Sequence, residues 1–138
     1  MTASQAERLK ERYLAEAIET AQPAVRLTML YDALELDLRR ADAAFETRDL
    51  ETINDNLVHA QAIILTLRDT IKPELWEGAP RMIALYDFFL AELLAANLEK
   101  DRERAAGVAP LIGEVGDAWR KAAELVAVGG EERVGGVA

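Results

Sequence analysis

The sequence predicts an all-α fold: an antiparallel up-down four-helix bundle with a short extra helix at its N-terminus. Apolar residues recur at alternating steps of three and four along most of the 138 residues, which is the spacing of helices packed on helices. Leucine and alanine dominate, and aromatic residues make up only 6%, a mixture that favours helices over sheets. No stretch shows the two-residue alternation of strands. With 51% hydrophobic residues, the chain can bury the core of one domain.

The first 22 residues are predicted to form an N-terminal cap segment. It contains one short, weakly amphipathic helix, whose apolar residues include Leu9, Tyr13 and Ile18. The next helix is expected to begin at Pro23, because proline loses nothing in the first helical turn, where its missing N–H would be unpaired anyway.

The second helix, predicted for residues 23–47, is the one around which the chain is organised. Its main apolar stripe comprises Leu27, Leu30, Leu34, Leu38, Ala41 and Phe45. Met29, Ala33 and Leu36 widen that stripe beyond a single packing seam. Leu27, Leu30 and Leu34 are therefore expected to face the core, whereas Met29 and Tyr31 are expected to border a groove.

Two further helices follow, each with a second apolar stripe beside the first. Asp49 is a plausible N-cap for a helix that begins at Leu50 and stops before Pro73, since the residue before proline is pushed out of the helical region. Residues 71–80 contain two prolines and a glycine, which indicates a connecting loop. The next helix is predicted for residues 80–100.

The last helix is predicted for residues 102–128 and completes a bundle that spans residues 23–128. Four residues weaken it, because Gly107, Pro110, Gly113 and Gly116 all lower helix propensity. Pro110 is expected to kink this helix or to split off its first turn. Residues 129–138 are rich in glycine and are predicted to be a disordered tail.

Composition limits the classes of function. Cysteine is absent, so the chain has no disulfide and no thiolate metal site. The net charge of −9 argues against nucleic acid and against anionic membrane surfaces as partners. The N-terminus has no apolar signal region, and no run approaches the roughly 18 apolar residues of a spanning helix. These features predict a soluble, cytoplasmic protein without membrane insertion.

No residue pattern points to catalysis, a metal or a cofactor. His59 is the only histidine, and Asn56 stands three residues before it, which excludes the paired Glu-x-x-His motifs of di-iron bundles. Ser4 is the only serine and lies near the terminus, so a Ser–His nucleophile is unsupported. The expectation is a protein that is not an enzyme.

Three polar residues stand out because apolar residues surround them. The tripeptide Leu-Tyr-Asp occurs at 30–32 and again at 85–87, at matching places on two helices. Asp32 and Asp87 either belong to an ordinary helix surface or act with their tyrosines as polar anchors in an apolar groove. Asn97 should be paired, either within the bundle or with the backbone of a partner.

These residues carry a resemblance to the FliS family of flagellar export chaperones. Four motifs stand in the family's order across about residues 13–122: TAQP at 20–23 with MLYD at 29–32, AQAII at 60–64, LYDF at 85–88 with AAN at 95–97, and AW at 118–119. The resemblance implies an antiparallel helical bundle. It also implies a cytosolic chaperone of the flagellar type III export pathway that binds the disordered C-terminal region of flagellin and prevents its polymerisation before export.

The resemblance further implies partners and a binding site. The export gate protein FlhA would recognise the chaperone with flagellin bound, and the segment around Tyr13 resembles a movable cap over the groove. No cofactor is implied. The residues expected to bind flagellin are Tyr13, Leu27, Met29, Leu30, Tyr31, Asp32, Leu34, Gln61, Ile64, Leu65, Leu85, Tyr86, Asp87, Leu90 and Asn97.

Two other functions fit a helical bundle. A self-associating adaptor or structural protein would form a homodimer through Leu30, Tyr31 and Tyr86. A small helical enzyme would need basic residues that point inward, and only Arg26 and Arg68 lie near apolar stripes.

Overall fold

The structure, a computed structural model, describes residues 2–9, 23–75 and 77–136. Helix α1 covers residues 3–9, α2 runs over Pro23–Glu46 and α3 over Leu50–Asp69. A single 3₁₀ turn at Pro73–Leu75 leads to α4, Ala79–Glu99, and then to α5, Arg102–Gly136. The described residues contain no strand, so the predicted all-α fold is confirmed.

Local capping explains where several helices begin and end. Asp49 caps α3 as predicted, because its carboxylate accepts a hydrogen bond from the Thr52 amide (3.2 Å). The left-handed backbone of Lys100 (φ 53°) ends α4. Thr2 and Gln5 form a reciprocal capping box at the start of α1: each backbone N–H donates to the other side chain (2.9 and 3.1 Å).

The helices α2 to α5 form a closed ring of neighbours. α2 packs against α3 and α5, and α4 packs against the same two helices. Neighbouring helices are antiparallel: Asn54 and Arg68 of α3 meet Asn97 and Asp87 of α4, respectively, and ion pairs show the same for α2 and α5. Arg102 at the start of α5 meets Asp42 near the end of α2, whereas Arg120, further along α5, meets Asp32 near the start of α2. α2 and α4 therefore lie diagonally opposite each other, as do α3 and α5.

The core follows the predicted stripes of α2, α3 and α4. Leu30 and Leu34 are buried, and Leu27 packs against them, as predicted. The fully buried large side chains are Tyr31, Tyr86, Phe89, Leu34, Ile53, Leu57, Ile64, Leu67, Leu93 and Ile112.

Helix α5 differs from the sequence prediction in its buried face. The helical spacing of apolar residues predicts one packing stripe that contains Val108, Leu111 and Leu125. In the structure Val108 and Ile112 are buried, whereas Leu111 and Leu125 are 41% and 74% exposed. The hydrophobic periodicity of this helix is weak, because several residues of its buried face are small, and glycine contributes no apolar side chain to the pattern.

Helix α5 is also longer and more continuous than the sequence predicted. Pro110 lies inside it, so this residue does not split off the first turn. Residues 129–136 are helical, which corrects the predicted disordered tail for those positions. Glycine lowers helix propensity by about 1 kcal/mol without forbidding the helical backbone, and no proline follows Pro110. Residues 137–138 lie outside the described residues.

Candidate functional site

The structure separates the predicted site residues into three groups. Leu30, Tyr31, Leu34, Ile64, Tyr86 and Asn97 are buried; Leu27, Met29, Gln61, Leu85 and Leu90 are half-buried; and Asp32, Leu65 and Asp87 are exposed. Tyr13 lies outside the described residues, as does most of the predicted cap segment. The buried apolar members form part of the hydrophobic core, so their side chains do not lie on the surface of this structure.

Tyr31 and Tyr86 are the clearest correction. Tyr31 was expected to border a groove, yet it is fully buried, and its hydroxyl lies 2.6 Å from the hydroxyl of Tyr86 on the diagonal helix. Burial raises the pKa of both phenols, and hydrogen bonding to Trp119 on α5 opposes the rise. The three aromatic residues thus join α2, α4 and α5 in the centre of the bundle, where the two tyrosines are buried away from the surface.

The two aspartates that follow these tyrosines are surface residues in ion pairs between helices. Asp87 on α4 accepts a hydrogen bond from Arg68 Nε on α3 (2.7 Å). Asp32 on α2 accepts one from Arg120 on α5 (2.6 Å), and this arginine also bonds to Glu35. Both carboxylates are thus exposed and paired with arginines of neighbouring helices, as the ordinary-surface interpretation expects.

Asn97 is paired within the bundle, which was one of its two predicted environments. Its Nδ2 donates to Asn54 Oδ1 on α3 (2.9 Å), and its Oδ1 accepts from Lys100 Nζ (2.5 Å). Asn97 therefore joins α3 to α4 at one end of their contact, as Arg68 and Asp87 do at the other.

Between these two polar links lies an apolar surface, which we call the α3–α4 face. Asn54, Gln61 and Arg68 recur every seven residues and mark the side of α3 that lies against α4. Val58 and Leu65 lie one turn before and one turn after Gln61, on the same side. On α4, Leu90, Leu94 and Leu98 follow each other one turn apart and flank Asn97. The face is defined by Val58, Gln61, Leu65, Leu90, Leu94 and Leu98.

The α3–α4 face is unusually apolar for a surface. Val58, Leu65 and Leu94 are 51%, 50% and 49% exposed, and Leu98 is 75% exposed. Gln61 turns its amide back onto its own helix, where Nε2 donates to the Leu57 carbonyl (3.0 Å). Such a patch on a folded chain is typical of a binding surface rather than of ordinary solvent exposure.

The sequence prediction identified only half of this face. Gln61, Leu65 and Leu90 were predicted site residues, but Val58, Leu94 and Leu98 were missed. The second apolar stripes of α3 and α4, which contain Val58 and Leu94, were the available signal. Leu98 lies beyond the predicted stripe and carried no such signal.

No described cluster suggests chemistry at this face. His59 lies on another side of α3, where Nδ1 is 2.5 Å from Oδ2 of the buried Asp37 on α2. Within residues 2–9, 23–75 and 77–136, no group of three or more His, Cys, Asp or Glu side chains could hold a metal ion. In the same part of the chain, no helix is long and apolar enough to cross a membrane.

The family comparison matches most of the chain. Residues 5–126 match the family described as flagellar protein FliS. The chain is 34% identical to the flagellar secretion chaperone FliS of Bacillus subtilis over 110 residues. This alignment covers 80% of this chain and 82% of the relative. The FliS of Salmonella typhimurium is 30% identical over 107 residues, or 76% of this chain and 79% of the relative.

A solved structure shares the fold. A bacterial flagellar chaperone, known from its crystal structure, aligns with a TM-score of 0.68 at 17% identity and covers 86% of this chain and 98% of its own. At this identity the likeness concerns the fold alone, and it agrees with the helical bundle described above. The family match and the two relatives show that this chain belongs to the FliS family of flagellar secretion chaperones.

Proposed function

We propose that this chain is a cytoplasmic export chaperone whose α3–α4 face binds the disordered C-terminal region of flagellin. The α3–α4 face is the observation that carries the proposal. It offers exposed side chains on two adjacent helices, in the arrangement that an amphipathic helix recognises through anchors at helical spacing. The family to which the chain belongs makes flagellin the client of first choice.

The chemistry of the face suits a client that folds on binding. A disordered segment loses conformational freedom when it binds, so it needs a continuous apolar surface to offset that cost. The six residues that define the face carry no charge, and Glu92 of α4 pairs with Arg104 of α5. Holding the client's apolar residues there would keep flagellin from polymerising before export.

The remaining parts of the proposal concern the cap and the export gate. Residues 1–22, with Tyr13, would cover the face while flagellin is absent, because monomeric proteins rarely leave a large apolar patch bare. The loaded chaperone would then be recognised by FlhA. A homodimer through the α3–α4 face, rather than through the buried tyrosines, would compete with the client.

Calorimetric titration with a synthetic peptide of the flagellin C-terminal region tests the proposal. We expect Leu94→Lys to weaken binding at least about tenfold, because a charge would be buried against the client. Leu125→Lys is the matched control, since Leu125 is an equally apolar and even more exposed residue on α5. Its affinity should stay within about twofold of the unmodified chain. Circular dichroism would verify that both variants are folded.

Two results would overturn the proposal. One is the absence of binding both by the full chain and by a chain lacking residues 1–22. The other is an equal loss of affinity in Leu94→Lys and Leu125→Lys, which would place the client elsewhere on the bundle.

A further inference from the structure

A second concave surface lies between α2 and α5, on the side of the bundle opposite the α3–α4 face. It is a cleft of about 370 Å³. Its floor is apolar and consists of Leu38 with the small residues Ala105 and Ala109. The lips are Arg39 on α2 and Ala106 and Pro110 on α5, and Glu35 and Asp42 lie at its two ends. The volume is within the range of small ligand sites and can hold one or two bulky side chains.

Ion pairs hold the two helices together at both ends of this cleft. Arg102 of α5 donates to Asp42 (2.8 Å) and to Glu46 (3.4 Å). At the other end Arg120 bonds to Glu35 and Asp32. Between these links the alanines of α5 are too small to fill the space that faces Leu38. The cleft is thus an opening between two fixed contacts.

The charges around the cleft leave one cation unpaired. Glu35 and Asp42 are each neutralised by an arginine of α5. Arg39, which is exposed on the lip, takes part in no ion pair within residues 2–9, 23–75 and 77–136. A partner that complements this lip therefore brings a negative charge.

A backbone acceptor lies on the opposite lip. The carbonyl of Ala106 would normally accept a hydrogen bond from the amide of residue 110, but that residue is proline and has no N–H. Both Ala106 and Pro110 border the cleft. The Ala106 carbonyl thus lacks its usual helical donor and can accept a hydrogen bond from the backbone of a bound chain.

From these contacts we propose that the α2–α5 cleft docks a segment of a partner protein in which a bulky apolar residue is followed by a carboxylate residue. The apolar side chain fills the space above Leu38, Ala105 and Ala109, the carboxylate pairs with Arg39, and a backbone N–H of the segment donates to the Ala106 carbonyl. Because this cleft and the α3–α4 face lie on opposite sides of the bundle, both can be occupied at once. The proposal does not depend on the identity of the client.

Titration of the ¹⁵N-labelled full chain with two blocked peptides tests this inference. The peptides are acetyl-Gly-Phe-Glu-Gly-amide and its glutamine counterpart, acetyl-Gly-Phe-Gln-Gly-amide. The expected result is a set of amide shifts confined to Leu38, Arg39, Ala105, Ala106 and Ala109. The Glu peptide should bind up to about fivefold more tightly than the Gln peptide, as an exposed ion pair allows.

Substitutions separate the parts of the site. Arg39→Gln should remove the preference for the Glu peptide, whereas Arg40→Gln, the matched change at the neighbouring exposed arginine, should retain it. Ala109→Leu should fill the floor and abolish binding of both peptides while the affinity for the flagellin peptide stays unchanged.

Three outcomes would overturn the inference: no shifts at the cleft, equal affinity for the two peptides, or equal effects of Arg39→Gln and Arg40→Gln. Analytical ultracentrifugation adds a fourth. A dimer of the full chain that dissociates with Arg39→Gln would assign the cleft to a second copy.

Discussion

At the residue scale, Tyr31 and Tyr86 have a structural role in the core that their shared sequence motif does not reveal. Each ring fills the core, and each hydroxyl has its main partner in the other (2.6 Å). A buried hydroxyl without a hydrogen bond is costly, so the two residues are coupled: replacing one leaves the other without that partner. This coupling gives the tyrosines of the Leu-Tyr-Asp repeat a structural role, because their hydroxyls join α2 to α4.

We predict a measurable coupling between these tyrosines. Tyr31→Phe and Tyr86→Phe should each lower the free energy of unfolding by about 1–3 kcal/mol, because each removes the hydrogen bond between the two buried hydroxyls. The double variant should lose less than the sum of the two single losses. Urea denaturation followed by circular dichroism measures all three variants. Additive losses would show that the hydroxyls do not act as a pair.

Asp37 offers a second prediction, on the dependence of stability on pH. Burial raises the pKa of this carboxyl above its ordinary value, although hydrogen bonding to His59 and the charges of His59 and Arg40 oppose the rise. A carboxyl whose pKa is higher in the folded than in the unfolded chain binds its proton more tightly when folded. Its contribution to stability is thus complete below the unfolded pKa of about 3.9 and is lost as pH rises through the folded pKa.

The free energy of unfolding of the unmodified chain, measured relative to that of Asp37→Asn, should therefore fall as the pH is raised from about 3.5 to 7. Asp42 provides a comparison of opposite sign, because hydrogen bonding to Arg102 lowers its pKa. Relative to Asp42→Asn, the unmodified chain should gain stability over the same pH range. Urea denaturation at several pH values gives both differences, and slopes of the same sign would contradict this account.

The sequence could predict which residues are apolar and helical, but not which of them the fold would expose. Ile64 and Leu65 are adjacent in the sequence, yet Ile64 is fully buried and Leu65 is half-exposed. Deciding between them requires the side of α3 that α4 covers, and this depends on contacts such as Asn54 with Asn97. Periodicity fixes the angle between two side chains on a helix, whereas the neighbouring helices decide what each side chain faces.

At the scale of elements, α5 shows how glycine can have two different roles in one helix. An added Cβ at Gly107 would meet no atom within 4 Å. At Gly116 it would lie 3.1 Å from Cδ1 of the buried Tyr31 ring and 3.2 Å from Nη1 of Arg120. Gly116 therefore allows α5 to approach the tyrosine pair, while Gly107 has no such packing role.

Alanine substitutions should separate these roles. Gly107→Ala is expected to raise the free energy of unfolding by up to about 1 kcal/mol, the gain in helix propensity. Gly116→Ala should be less stable than Gly107→Ala by about 1 kcal/mol or more, because a ring fixed in the core cannot move away from the new methyl group. Thermal and urea denaturation of the two variants provide the comparison, and equal stabilisation by both would contradict the packing role of Gly116.

The boundaries of α2 and α3 could be predicted well because their signals are local. Pro23 and the Asp49 cap act within one helical turn. The length of α5 could not be predicted in this way, since its glycines and Pro110 lower propensity while the contacts of Val108 and Ile112 with the core stabilise the helix. Tertiary packing outweighs local preference there.

At the scale of the whole molecule, the chain carries a net charge of −9, whereas the six residues that define the α3–α4 face are uncharged. The α3–α4 face lies between the Asn54–Asn97 link and the Arg68–Asp87 ion pair. The order of the helices, α2 beside α3 and α5, also places the α2–α5 cleft on the opposite side. The two surfaces thus differ in chemistry: the α3–α4 face is apolar and uncharged, whereas the α2–α5 cleft is lined by small residues and bordered by charged ones.

This separation predicts how salt acts on client binding. Because the α3–α4 face contributes apolar area rather than ion pairs, the dissociation constant for the flagellin peptide should change less than about threefold between 50 and 500 mM NaCl. The heat-capacity change of binding should be negative, as burial of apolar surface requires. Calorimetric titration at two salt concentrations and three temperatures measures both quantities. A tenfold loss of affinity at high salt would mean that the client binds mainly through charges and lies outside the α3–α4 face.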